Sequence, residues 1–160
     1  MPATAADRRD KITRIRDLPD ALENLVTDLH DAQLDTPYRD GGWTVRQVVH
    51  HLADSHLNGY TRMKWILTED RPTLKTYEQD DWAKLPDYTE LPIESSLAIL
   101  RGLHARWSAL LERLPDSTWS REASHPEVGS VTLDDLLDLY ARHGENHMGQ
   151  IAKLRVARGW

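Results

Sequence analysis

Residues 44–68 read TVRQVVHHLADSHLNGYTRMKWILT, and this stretch carries the strongest structural signal in the chain. Thr44 followed by Gln47 forms a capping box, in which each side chain bonds to the free backbone N–H of the other residue. Apolar residues then recur at helical spacing along one stripe. The members of the stripe are Val45, Val48, Val49, Leu52, Gly59, Met63 and Ile66. The pattern predicts a long amphipathic helix that begins at Thr44 and ends near Thr68.

Three other stretches show the same helical periodicity. A first helix is predicted within residues 8–32, where Pro19 fits the first turn and the residues before it form a separate helical piece or a loose arm. A third helix is predicted over residues 93–114. A fourth is predicted from Thr132 to about Ala157, with aspartates near its start and basic residues near its end, which complements the helix dipole.

The connections between these helices indicate how they are arranged. Residues 69–92 form a long polar connection that contains Pro72, Pro86 and Pro92. Residues 116–131 form another irregular connection, in which residues 128–131 could form a short extended piece that we do not predict as a strand. Four long helices without a convincing strand predict an all-α four-helix bundle. The connection at 69–92 is long enough for a crossover, so the second and third helices can run parallel.

Composition excludes several classes of protein. With 160 residues, 39% hydrophobic and 29% charged, the chain is predicted to form a single globular domain over residues 1–160. It has no cysteine, which removes disulfides, thiolate zinc sites and a cysteine nucleophile. A net charge of −6 disfavours a nucleic-acid partner. Residues 1–10 lack the apolar region of a signal peptide and no apolar run could span a membrane, so a cytoplasmic location is predicted.

Two histidines on the fourth helix carry the clearest chemical signal. His143 and His147 are four residues apart, so they lie on the same helix face, in line with the apolar stripe. Two inward imidazoles could bind one metal ion, or could be core histidines paired by hydrogen bonds, and the pair alone leaves both interpretations open. The metalloprotease motif is excluded, because Gly144 follows the first histidine and Glu145 lies about 200° around the helix.

The second helix offers candidates for a third ligand. His51 lies at the edge of the buried face, His50 points further round, and His56 is a plausible inward group. A histidine-rich polar edge without any ligand role is the alternative. His104 on the third helix is expected to be a packed histidine, or one that supports a ligand, rather than a ligand itself.

Several segments together resemble a known family. They are residues 34–56 (LDTPYRDGGWTVRQVVHHLADSH), 67–70 (LTED), 103–107 (LHARW) and 143–151 (HGENHMGQI). They look like the YfiT-like branch of the DinB superfamily, over about residues 30–155. Members are described as metal-dependent hydrolases, and related members as bacillithiol S-transferases.

The resemblance implies a specific fold and a specific site. The fold would be a four-helix bundle in up-down-down-up order. The site would hold one divalent metal, zinc or nickel, on His51, His143 and His147. The resemblance also implies a homodimer.

Three neutral histidines with an open position are typical of a catalytic metal rather than a structural one. The metal could activate water for hydrolysis or bind the thiol of a small-molecule substrate for S-transfer. A non-catalytic bundle that binds metal or ligand stays open as an alternative. A DNA-binding stress protein is a third class, which the acidic net charge disfavours.

Other residues near the predicted site have weaker signals. Asp54, close after His51, is a candidate carboxylate for orienting a ligand or transferring a proton, with an ordinary solvated aspartate as the alternative. Tyr60, His56 and His104 are candidates to line the cavity, and residues 77–82 to cover it.

Overall fold

The structure of the chain, a computed structural model, describes residues 3–160. Met1 and Pro2, which belong to the N-terminal segment and the domain predicted above, lie outside the described residues. The long helices are α1 (Ala5–Val26), α3 (Val45–Thr68), α6 (Glu94–Leu111) and α7 (Leu133–Arg158). The shorter elements are α2 (Asp31–Leu34), α4 (Gln79–Trp82), α5 (Pro86–Thr89), a 3₁₀ turn (Asp116–Thr118), β1 (Glu122–His125) and β2 (Gly129–Thr132).

The four long helices form a bundle in up-down-down-up order. Helix α1 packs against α6 and α7, and α3 packs against the same two helices, so α1 and α3 are diagonal. Helix α1 runs parallel to α7, as the contacts Arg8–Asp134 and Asp28–Arg155 show. Helix α3 runs parallel to α6, as His50–Ser96 and Met63–Trp107 show. Helix α1 runs antiparallel to α6, as Glu23–Arg101 and Arg16–Glu112 show. The predicted bundle and its parallel second and third helices are confirmed.

Local signals placed three of the long helices within a few residues. The Thr44–Gln47 capping box is present, and α3 ends at Thr68 as predicted. Thr132 caps α7, and Gly159 ends that helix in the left-handed region. Helix α6 covers most of residues 93–114.

The prediction for the first helix was wrong at its start. Helix α1 begins at Ala5, capped by Thr4, and continues without a break through Pro19. Proline removes one backbone hydrogen bond inside a helix, because it has no N–H to donate to the carbonyl four residues earlier. Here that carbonyl, of Ile15, accepts a hydrogen bond from the His104 side chain of α6 instead. A partner from another helix therefore compensates for the proline.

A short β-hairpin lies in the predicted irregular region 116–131. Strands β1 and β2 pair antiparallel, with Ala123 opposite Val131. Strand β1 also exchanges backbone hydrogen bonds with the long connection, where Ser124 N donates to Pro72 O and Leu74 N donates to Ser124 O. The strands have four residues each and depend on a partner about 50 positions earlier in the chain, so the local sequence carries little signal for them.

The long connection between α3 and α6 lies across the bundle rather than in solvent. Its own residues Leu74, Ala83 and Tyr88 are buried. Side chains of α3 hold its backbone, since Gln47 donates to the carbonyl of Ala83 and Arg46 donates to the carbonyl of Leu91. The crossover suggested by its length is therefore confirmed.

The core consists of two apolar halves with a layer of histidines between them. One half contains Ile12, Ile15, Met63, Ile66, Trp107, Leu111, Leu137 and Tyr140. The other contains Leu22, Val26, Val48, Leu52, Leu97, Leu100, Ile151 and Leu154. Along α3, α6 and α7, the positions between these halves hold His56, His104 and His143. No helix among the described residues is long and apolar enough to cross a membrane.

A close approach of α3 to α7 makes Gly59 intolerant of a side chain. A Cβ at this position would lie 2.5–2.7 Å from three atoms of the Tyr140 ring. We expect Gly59→Ala to lower the free energy of unfolding by about 1–3 kcal/mol, because overpacking outweighs the better helix propensity of alanine. Gly102→Ala in α6 is the matched control, since no atom lies within 4 Å of its Cβ, and should raise stability by about 0.5–1 kcal/mol. Urea unfolding of both variants measures the difference. Equal stability of the two would contradict the packing argument.

Candidate metal centre

Three imidazoles from two helices converge in the middle of the bundle. His51 comes from α3, while His143 and His147 stand one turn apart on α7. The Nε2 atom of His143 lies 3.1 Å from Nε2 of His51 and 3.2 Å from Nε2 of His147. The three form a group that could hold a metal ion. The structure therefore brings together the three residues that the family resemblance implied as ligands.

The donor set suits a divalent cation. Tetrahedral coordination with metal–nitrogen distances of about 2.0–2.1 Å separates neighbouring ligand atoms by about 3.3 Å, close to the two distances from Nε2 of His143. Burial is the main cause that lowers the pKa of each ring, bringing that of His143 to about 3. All three imidazoles are therefore neutral at pH 7, which is the form that binds metal.

The outer nitrogens of the three rings have different surroundings. His147 Nδ1 lies 2.9 Å from Oε1 of Gln150 and donates to it, so the Nε2 of His147 carries a lone pair. His143 Nδ1 lies 3.2 Å from Nε2 of the buried His56. Nδ1 of His51 is buried and has no hydrogen-bond partner among residues 3–160. Trp43 packs against the His51 and His147 rings, at centroid distances of 4.6 and 6.2 Å.

Two clefts reach the cluster, and each is lined by one of its histidines. The first has a volume of about 650 Å³ and the second about 370 Å³. His147 lines the first cleft with Trp43, Arg39 and Lys84. His143 lines the second with Ser55, Arg62, Tyr77 and Tyr140. Gln79 and Asp80 line both, so the segment predicted to cover the site lies between the two openings.

Arg62 is an unusual group in the second cleft. It is only 9% exposed and has no carboxylate partner within the described chain. It donates to Tyr140 Oη and to the backbone carbonyl of Lys75, and its Nε has no partner among residues 3–160. A buried guanidinium without a counter-charge has lost its hydration without gaining an ion pair. It can therefore bind an anionic group through hydrogen bonds that it donates.

The other candidates occupy different places. The Asp54 carboxylate accepts a hydrogen bond of 2.7 Å from the Tyr88 hydroxyl, and burial raises its pKa. Its predicted role in orienting a ligand or moving a proton stays a prediction. Glu145 pairs with Arg14 on the outside of the bundle, in agreement with its exclusion as a general base. His56 and His104 are buried in the core, Tyr60 is partly buried and packs against the core, and none of the three lines either cleft.

Three residues of the site were missed by sequence reasoning. Gln150 follows His147 by three positions, a helical spacing that could have been used. Trp43 precedes the cap of α3 and reaches the cluster only because of the turn before it, and Arg62 becomes part of a cleft only when the long connection crosses α3. Neither of these two has a local sequence signal.

The chain is similar in sequence and fold to several known proteins. A relative from Geobacillus thermodenitrificans is 50% identical over 158 residues, covering 98% of this chain and 88% of its own, and one from Oceanobacillus iheyensis is 48% identical over 149 residues, covering 93% and 86%. Both carry the provisional name of metal-dependent hydrolase. YfiT from Bacillus subtilis, described as "a probable metal-dependent hydrolase with an unusual four-helix bundle topology", matches with a TM-score of 0.97 and 42% identity over 99% of this chain and 91% of its own.

More distant structures share the fold alone. A mycothiol-dependent maleylpyruvate isomerase has a TM-score of 0.71 at 14% identity, over 90% of this chain and 60% of its own.

The sequence profile of the DinB superfamily matches residues 14–151. The profile match, the similar relatives and the shared bundle together show that the chain belongs to the DinB superfamily.

Proposed function

We propose that this protein is a metal-dependent hydrolase whose centre is one divalent cation held by Nε2 of His51, His143 and His147. The observation that carries the proposal is the convergence of three neutral ring nitrogens between two open clefts. The names of the close relatives support it. We propose zinc as the metal. Nickel is the alternative, because imidazole suits both metals.

The chain's own residues supply binding and orientation. A cation with three imidazole ligands and an open position lowers the pKa of a bound water to about 7 and polarises a carbonyl or phosphoryl oxygen. Gln150 orients the ring of His147, and Trp43 packs beside the rings of His51 and His147. Arg62 offers a positive charge in the second cleft to an anionic part of a small-molecule substrate.

Activity assays test this function directly. Protein purified without a histidine tag is stripped of metal, reloaded with zinc or nickel, and assayed on chromogenic carboxylic and phosphoric esters. We expect hydrolysis only in the loaded form and at least a hundredfold loss in His51→Ala, because the centre loses a ligand. His50→Gln is the matched control: this neighbouring buried histidine bonds to Ser96 and the Leu91 carbonyl, away from the cluster.

Two other outcomes would overturn the hydrolase proposal. Metal-dependent coupling of a low-molecular-weight thiol to an aryl halide, without ester hydrolysis, would make the protein a thiol S-transferase of the kind kept open above. Stoichiometric metal binding with turnover of neither substrate class would make it a non-catalytic binding protein.

A further inference from the structure

We propose that His104 and His56 are positioning residues, which hold His143 in the Nδ1–H tautomer and so keep the lone pair of its Nε2 directed into the three-histidine cluster. The inference rests on the proposed metal site and assigns a task to two buried histidines that line neither cleft.

The series of hydrogen bonds begins at the Ile15 carbonyl in α1, which Pro19 leaves without its helical donor. In a regular helix the carbonyl of Ile15 would accept from the N–H of residue 19, and proline has none. The Nδ1 atom of His104 lies 2.5 Å from this carbonyl oxygen. A carbonyl can only accept a hydrogen bond, so Nδ1 of His104 carries the proton.

Each following step is then determined by the one before it. In a neutral His104 with its proton on Nδ1, Nε2 is an acceptor, and Nδ1 of His56 lies 2.9 Å from it and donates. This leaves Nε2 of His56 as an acceptor, 3.2 Å from Nδ1 of His143, which must donate in turn. The proton of His143 is thereby placed on the nitrogen that faces away from the cluster, and its Nε2 carries the lone pair.

The surroundings of His56 and His104 hold this order in place. Both side chains are completely buried. Their rings stack at 4.9 Å with an angle of 11°, and the edge of each meets the Trp107 ring. Neither side chain has another hydrogen-bond partner among residues 3–160. The direction cannot reverse, because the Ile15 carbonyl at its start has no proton to give.

The arrangement connects all four long helices to one ligand. Ile15 belongs to α1, His104 to α6, His56 to α3 and His143 to α7. Outer hydrogen-bond partners of metal-binding histidines set the tautomer and ring orientation, and their loss typically weakens metal binding 10–100-fold. His143 would therefore be prepared for metal before any metal arrives.

The tautomers can be observed in the metal-free protein. Long-range proton–nitrogen correlation spectra of ¹⁵N-histidine-labelled protein at pH 7.5 distinguish protonated from unprotonated ring nitrogens. We expect His104, His56 and His143 all to carry the proton on Nδ1, although free histidine favours Nε2. A proton on Nε2 of His143 would overturn the proposal. This result does not depend on metal binding or activity, so it separates failure of the proposal from failure of the proposed function.

Variants at position 56 test the consequence for metal binding. His56→Leu removes the acceptor for Nδ1 of His143, and we expect the Kd for zinc, measured by competition with a chelating dye, to rise 10–100-fold. His56→Gln places an amide oxygen near the former Nε2 and should restore affinity to within about threefold of wild type. The control is His50→Leu, which removes a buried histidine that takes no part in these hydrogen bonds, and it should leave the Kd for zinc unchanged.

The pattern of affinities distinguishes positioning from general support of the fold. If these residues only supported the fold, zinc affinity would fall in proportion to the loss of thermal stability, with the same relation in His56→Leu, His56→Gln and His50→Leu. That outcome would contradict the proposal. If His56→Leu fails to fold, the wild-type tautomers and the His56→Gln affinity decide the question.

Discussion

The variant His143→Ala is expected to reduce bound zinc from about one ion per chain to near zero. His143 is the central member of the cluster, because its Nε2 lies within 3.2 Å of the Nε2 atoms of both His51 and His147. Its removal leaves two imidazoles on different helices, too few for a three-ligand zinc site. The measurement is metal content by mass spectrometry after reloading and desalting.

The matched control for this variant is His30→Ala. His30 is an exposed histidine at the start of α2 and is not a member of the cluster. It should retain about one ion per chain, because the three-histidine site is intact. Circular dichroism must show folded protein in both variants. Full occupancy in His143→Ala would rule out the proposed ligand set.

The second large effect is a loss of folding stability as the pH falls. Burial lowers the pKa of His104 to about 4, below its value of about 6.5 in an unfolded chain. Between these pH values the unfolded chain binds more protons than the folded one, so stability falls as the pH falls from 6.5 to 4. For His104 alone the loss amounts to about 3 kcal/mol, and His143, with a pKa lowered to about 3, adds to it.

Urea unfolding of the metal-free protein between pH 7.5 and 4.5 measures this effect. We expect stability to begin to fall below about pH 7.5 and to fall most steeply below pH 6.5, because the histidines of the unfolded chain become protonated over this range while the buried histidines of the folded chain stay neutral. Substitution of His104 by asparagine, which does not titrate, should flatten the slope. The variant His30→Ala should keep the slope, since it leaves all the buried histidines in place. A slope that is the same in all three proteins would contradict the assignment to buried histidines.

Much of the fold could be predicted because its signals are local. A helix start depends on a cap and on residues within one turn of it, as at Thr44 and Gln47, and a stripe of apolar residues shows which face is buried. The length of the connection at 69–92 indicated that α3 and α6 run parallel. Pro19 and the β-hairpin were misjudged because the hydrogen bonds that support them come from residues far away in sequence, His104 and residues 72–74.

For the site, the sequence by itself determined that His143 and His147 share an inward face of one helix, because helical periodicity alone sets that direction. With the family resemblance, it also pointed to His51 as the third member. Only the tertiary structure decided what the ring nitrogens of His143 contact, since its hydrogen-bond partners outside its own helix, among residues 3–160, come from α3. His56 and His104 look like ordinary core positions in the sequence. Their connection to His143 exists because packing brings four helices within hydrogen-bond distance and because a proline on α1 frees one carbonyl.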